Sequence, residues 1–290
     1  MAAKTLATAP SLGPLYARAA VTGPLHRGGE LPDSQYSLAD LTIDRAHLAQ
    51  YQQVCGFRVS DELPPTYLHI LAFPLSVALM VEQKFPFPLV GLVHVNNTVT
   101  IERTVSADEV VSLEVAAQNL RPHPAGRQVD LVARATVDGE TVWSGRSTYL
   151  RRGGGGKSED TGRAKERPQT EAPAGAVALV RVPDDIGRRY GAVSGDRNPI
   201  HMHALTARAF GFPKAIAHGM WLKARTLAAL EGRLPDEYVV DVAFKTPVFL
   251  PSTIAIAATQ DSTASPGNAG WSLDVRNAKS GKPHLAGTVR

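Results

Sequence analysis

"YGAVSGDRNPIH", residues Tyr190 to His201, has a degenerate echo in "YQQVCGFR", residues Tyr51 to Arg58. The two strings share Tyr, Val, Gly and Arg at one spacing and lie 139 residues apart, counted from Tyr51 to Tyr190. Further pairs keep almost the same offset. "VSADEVVSLEV" (105–115) and "FLPSTIAIAAT" (249–259) are 144 apart, and "FPL" (73–75) and "HGM" (218–220) are 145 apart. An offset held along the chain marks a duplication of two large copies, which excludes a short-period solenoid.

The element pattern repeats as well. "LAFPLSVALMVEQ" (71–83) is apolar nearly all round and predicts a buried helix. "GMWLKARTLAALEG" (219–232) puts Met220, Trp221, Ala224, Leu227 and Ala228 on one helical face. Each is followed by β-branched runs. Val129, Leu131, Ala133, Ala135 and Val137 alternate, as do Trp271, Leu273 and Val275, which is the period of a half-buried strand. Asp138-Gly139 predicts a tight hairpin turn, and "KSGK" (279–282) another. A sheet of this kind buries its apolar face on the helix that precedes it. Residues 151–175, rich in Gly, Pro and charge and without Val, Ile, Leu or aromatic residues, predict a flexible linker. The expected division is 1–150, 151–175 and 176–290.

The formal charge of +4 over 290 residues is too mild for a nucleic-acid protein, and no basic stripe stands out. The mildly basic surface suits an anionic ligand such as a nucleotide or phosphopantetheine carrier. One cysteine, Cys55, leaves no intramolecular disulfide and no cysteine-based metal cluster. The first twenty residues lack an apolar signal core, and "LAFPLSVALMV" (71–81) is too short to span a bilayer. The expectation is a cytoplasmic protein without membrane attachment.

The chemistry concentrates in the second copy. Pro199 stops a helix from running through the motif and Gly195 permits a sharp turn, so a bent loop can bring Asp196 and His201 together. An acid and an imidazole sharing a water can move protons to and from a substrate. The bland alternative is that Asp196 and Asn198 make turns with their own backbone while His201 packs nearby. "IAHGMWLKA" (216–224) reads as a loop entering a helix at Gly219, where a free N–H can stabilise developing negative charge. The alternative there is that Gly219 only relieves crowding between helix and strand. His218 is either ligand-facing or a buried structural histidine. Lys245 and Arg225 are candidates for meeting carrier phosphates, against the ordinary reading of solvated surface cations. Ser194, Tyr190 and Asn198 read as supporting residues. His201, His203 and His218 match no zinc spacing, so neither a metal nor a cofactor is expected.

"Y-x-x-x-S-G-D-x-N-P-I-H" followed by "GF…IAHGM" resembles the MaoC-like (R)-specific enoyl-CoA hydratases. The whole chain, with its degenerate first copy, is similar to the actinobacterial double-hot-dog 3-hydroxyacyl-thioester dehydratases. The resemblance implies an α+β double hot-dog fold, a catalytic dyad of Asp196 and His201, and an oxyanion donor in the N–H of Gly219. It implies reversible hydration of a trans-2-enoyl thioester carried by CoA or acyl-carrier protein, in a monomeric pseudo-dimer or a homodimer. A hot-dog thioesterase and a non-catalytic acyl-binding subunit are the competing readings.

The first copy is expected to be silent. Under the 139-residue offset Asp196 falls on Phe57 and His201 on Glu62, and under the 145-residue offset Gly219 falls on Pro74, which has no N–H to donate. That half is expected to keep the fold and help accommodate an acyl chain. Cys55 falls on Ser194 and reads as a small core residue.

Overall fold

A computed structural model of the chain describes residues 2–23, 29–153, 176–260 and 270–290. It divides into two compact units, one of residues 1–48 and 61–157, the other of 49–60 and 158–290. The first begins with β1 (Ala2–Leu6), α1 (Leu12–Thr22) and β2 (Ser34–Leu41), followed by α2 (Arg45–Cys55), whose last turns belong to the second unit. It continues with α3 (Tyr67–Met80), β3 (Leu92–Ile101), β4 (Val111–His123), β5 (Gly126–Val137) and β6 (Glu140–Arg152). The second unit holds β7 (Ala176–Val182), α4 (Ile186–Ser194), α5 (Pro199–Met202), α6 (Ala204–Ala209), α7 (Gly219–Ala228), β8 (Tyr238–Phe244), β9 (Ser252–Gln260), β10 (Trp271–Asn277) and β11 (Pro283–Val289).

The duplication is visible in the sheets. In the first unit the strands run β2-β4-β5-β6-β3, all antiparallel, with β1 added in parallel on β2. In the second they run β7-β9-β10-β11-β8, again antiparallel. Both orders are first, third, fourth, fifth, second strand of the copy, so the two units share one topology. The α3 helix packs on β2, β4 and β5, and α7 packs on β8 through Gly219 against Phe244. Each unit is the hot-dog arrangement of one main helix against an antiparallel sheet, in an α+β fold.

The alternating residues point where their period requires. Val129, Leu131, Ala135 and Val137 are buried, as are Trp271, Leu273 and Val275. Asp138 and Gly139 both take positive φ, 51° and 83°, as a two-residue hairpin loop demands. Two expectations need correction. β6 runs to Arg152, so the first residues of the proposed linker are sheet, while 154–175 lie outside the described residues. Each copy is also more than a helix and a run of strands: β2 and β7 lead, and a second helix, α2 or α4, precedes the main one.

Candidate active site

The opening motif becomes helix, turn, helix. The α4 helix ends at Ser194 on Gly195, whose φ of 73° is left-handed and whose N–H donates to Gly191 O. In the first copy, α2 ends at Cys55 on Gly56 with φ 81°. The glycine shared by the two strings is thus a helix stop that a side chain would strain. After Gly195 the chain is held locally: Asp196 N donates to Ser194 Oγ at 3.2 Å and Asn198 N to Asp196 Oδ1 at 3.2 Å. Asn198 then caps α5, its side chain accepting from Ile200 N, with Pro199 at the first helical position. Pro199 therefore starts a helix, the preceding one having stopped at Gly195, and His201 stands on α5 instead of a bent loop. The turn reading of Asp196 and Asn198 is correct and also serves the site, because these turns leave Asp196 Oδ2 out of the local network they form.

His201 is 8% exposed, and its Nδ1 lies 2.8 Å from Ile216 O. A carbonyl only accepts, so Nδ1 carries the hydrogen and Nε2 of the neutral ring is a bare lone pair. Close packing of α5 on α4 needs glycine: a Cβ at Gly187 would meet His201 O at 2.0 Å, and one at Gly191 would meet Asp196 O at 2.9 Å. His218 is 3% exposed and stacks on His201, ring centroids 3.6 Å apart. Its Nε2 lies 2.9 Å from Asp196 O and 3.8 Å from Asp196 Oδ2. The Asp196 side chain is 28% exposed. Burial lowers the His201 pKa, opposed by Asp196 and the Ile216 carbonyl. Burial, then the neighbouring His201, push His218 down to about 3. Both imidazoles are neutral at physiological pH, as a proton acceptor must be.

One nitrogen of each histidine and one carboxylate oxygen of Asp196 lie within 4.8 Å of one another. That span suits one bridging water. An ion in the same span would be limited to His201 Nε2, His218 Nδ1 and the carboxylate. His201 Nδ1 and His218 Nε2 are already donors to carbonyls.

Gly219 opens α7, with His218 at the N-cap. The first N–H groups of a helix have no acceptor within it, and the dipole favours negative charge there. The crowding reading also holds, since a Cβ on Gly219 would meet the Phe244 ring at 3.1 Å. Tyr190 is buried, its ring 4.9 Å from His218 and 6.2 Å from Tyr51. His218 is closed in by these neighbours, as its structural reading expects. Lys245 is exposed one residue beyond Phe244. Arg225 is no ordinary surface cation: it is half-buried, and its guanidinium atoms lie 3.2 Å from where a Cβ on Gly56 would stand. Cys55 is buried and its thiol is pushed up to about 12 by desolvation, so it is inert as a nucleophile.

Three residues escaped the sequence reading. Gly187 and Gly191, one helical turn apart, were legible as a small-residue face. Lys223, fully buried with Nζ donating to Val240 O at 3.2 Å, was not, since its position on α7 reads as a solvated charge. In the first copy Phe57 follows Gly56 and is half-buried. Pro74 is not at a helix start at all; it lies inside α3, which begins at Tyr67.

The fold and the extended similarity to a dehydratase of this type show that the chain belongs to the MaoC-like dehydratase family. The family model described as "MaoC like domain" matches residues 160–267, which contain Asp196, His201 and Gly219. The chain is 38% identical over 266 residues to 3-hydroxyacyl-thioester dehydratase X of Mycobacterium tuberculosis, covering 91% of both chains. The crystal structure of HtdX of that organism superposes with a TM-score of 0.75 at 35% identity, covering 88% of this chain and 99% of that one. A MaoC-like dehydratase from Phytophthora capsici has the same fold, TM-score 0.69 at 16% identity, covering 90% of this chain and 94% of that one.

Proposed function

We propose that the protein is a hydro-lyase that adds water to trans-2-enoyl thioesters and, in reverse, dehydrates (3R)-3-hydroxyacyl thioesters carried by CoA or acyl-carrier protein. The observation that carries this reading is the tautomer of His201. With Nδ1–H held by Ile216 O, Nε2 is left as a base, on a ring that brings one nitrogen within 4.8 Å of an Asp196 carboxylate oxygen. In hydration, Asp196 and His201 hold one water. Its oxygen bonds to the β-carbon, one of its protons passes to the dyad, and the dyad returns a proton to the α-carbon. The thioester oxygen carries the developing enolate charge, which the Gly219 N–H and the α7 dipole stabilise. Asn198 and Ser194 keep the Asp196 loop in place, and Lys245 offers a cation to a carrier phosphate.

The first copy is non-catalytic in this reading and accommodates acyl chain, and one chain forms a pseudo-dimer, alone or as a homodimer. Among the described residues no helix is long and apolar enough to cross a membrane. A cytoplasmic location accords with a single free, buried cysteine.

The test is loss of enoyl-thioester absorbance across crotonyl to long-chain CoA esters, with the configuration of the product determined. Asp196→Asn is expected to lower kcat about 10²- to 10⁴-fold with the fold intact. A variant of near-normal activity disproves the one-site assignment, and release of free thiol in place of hydration points to a thioesterase.

A further inference from the structure

His218 occupies the N-cap of α7, where Ser, Thr, Asp or Asn would accept from the first-turn N–H groups and stabilise the helix. It makes no such side-chain cap. Its Nε2 turns instead to the other half of the site and lies 2.9 Å from the backbone carbonyl of Asp196. Since that carbonyl only accepts, Nε2 bears the hydrogen, and the buried Nδ1 has no hydrogen-bond partner among the described residues. The ring is held by His201 at 3.6 Å and Tyr190 at 4.9 Å.

The location gives this hydrogen bond a purpose. Within the loop, Asp196 N donates to Ser194 Oγ and Asn198 N to Asp196 Oδ1. These set the shape of the loop but not its place relative to α7. His218 is covalently joined to Gly219, so its hydrogen bond links the carboxylate loop to the helix start that faces the oxyanion. Leaving the first turn of α7 uncapped by a side chain also keeps those N–H groups open to a substrate oxygen.

We propose that His218 is a positioning residue, a neutral Nε2–H donor that sets the distance between the Asp196 carboxylate and the Gly219 N–H. This rests on the hydro-lyase reading above and adds a role that reading does not require. A one-ångström displacement of a reacting group is enough to lower a rate about a hundredfold, so a single hydrogen bond between two loops can govern kcat while scarcely touching substrate affinity.

The experiment compares three variants of the full chain in the enoyl-CoA hydration assay, with thermal melts alongside. Gln places an N–H donor where Nε2 stands, so His218→Gln is expected to retain kcat within about threefold of wild type. His218→Asn is too short to reach the carbonyl but caps a helix well, and His218→Phe keeps an aromatic ring without a donor. Both are expected to lose about 10- to 100-fold in kcat with KM changed less than about threefold. His218→Asn should melt no lower than His218→Gln, which separates positioning from folding. Equal rates for Gln, Asn and Phe, or a Gln variant as impaired as Phe, overturn the proposal. A wild-type protein without hydration activity overturns the functional reading instead. The proposal then still meets a direct check, ¹⁵N spectra of the histidine rings at neutral pH, where an Nδ1–H tautomer at His218 refutes it.

Discussion

Two imidazoles stacked at 3.6 Å beside a carboxylate can work only if they do not both carry charge. Burial settles this by holding both histidines below their ordinary value, and the penalty appears as acid sensitivity. Each group takes up protons near pH 6.5 when unfolded but only at lower pH when folded, to about 3 for His218. The stability they allow is present above pH 6.5 and is lost as pH falls toward 3, at up to about 1.4 kcal/mol per pH unit for each proton. Urea-unfolding free energies measured from pH 7 to pH 4 should fall, and His218→Gln should flatten that slope by about one proton's worth. An identical slope in the variant would show that His218 does not titrate between the folded and unfolded states. The residue types at this site were legible, because Asp, Asn-Pro and His at fixed spacing form turns and caps from their own local chemistry. The tautomer of His201 was not, because its acceptor, Ile216, lies fifteen residues further on.

At the scale of elements, the site depends on how closely α4 and α5 pack. Gly187 and His201 O leave no room for a methyl group, whereas a Cβ on Gly13 in α1 would meet nothing within 4 Å. Gly187→Ala is therefore expected to cost about 1–3 kcal/mol by overpacking and to lower kcat by shifting His201. Gly13→Ala should change stability by less than about 1 kcal/mol, since its Cβ meets no neighbour and the gain in helix propensity is offset by Pro14, which disfavours helical backbone in the residue before it. Equal melting temperatures for the two variants would contradict the packing. Strands and hairpins were readable from alternation and from Asp138-Gly139, since both depend on neighbours in sequence. The start of α7 at Gly219 was readable too, but that of α3 was not: Pro74, expected opposite Gly219, lies within α3, because the buried apolar surface carries that helix back to Tyr67.

For the whole molecule, residues 49–60 of the first copy belong to the unit that holds the site. There Trp221 Nε1 donates to Val54 O at 3.0 Å, Arg58 N donates to Glu231 Oε2 at 3.0 Å, and the Tyr51 ring packs on Tyr190. Residues 176–290 expressed alone would leave a buried indole N–H without its acceptor and Tyr190 uncovered. Such a fragment is expected to be inactive and to lack a cooperative melt, as circular dichroism and the hydration assay would show. A cooperatively folded, active fragment would refute this dependence. Sequence alone determined the duplication, the strand pattern and the acid, histidine and glycine of the second copy, because periodicity, turn chemistry and repeat spacing are carried by residues near one another in the chain. Only the tertiary structure decided that the degenerate Tyr51 string lies beside its intact counterpart and that His218 binds the Asp196 carbonyl. Those contacts join residues 139 and 22 positions apart, and chain folding brings such pairs together without a local pattern to announce them.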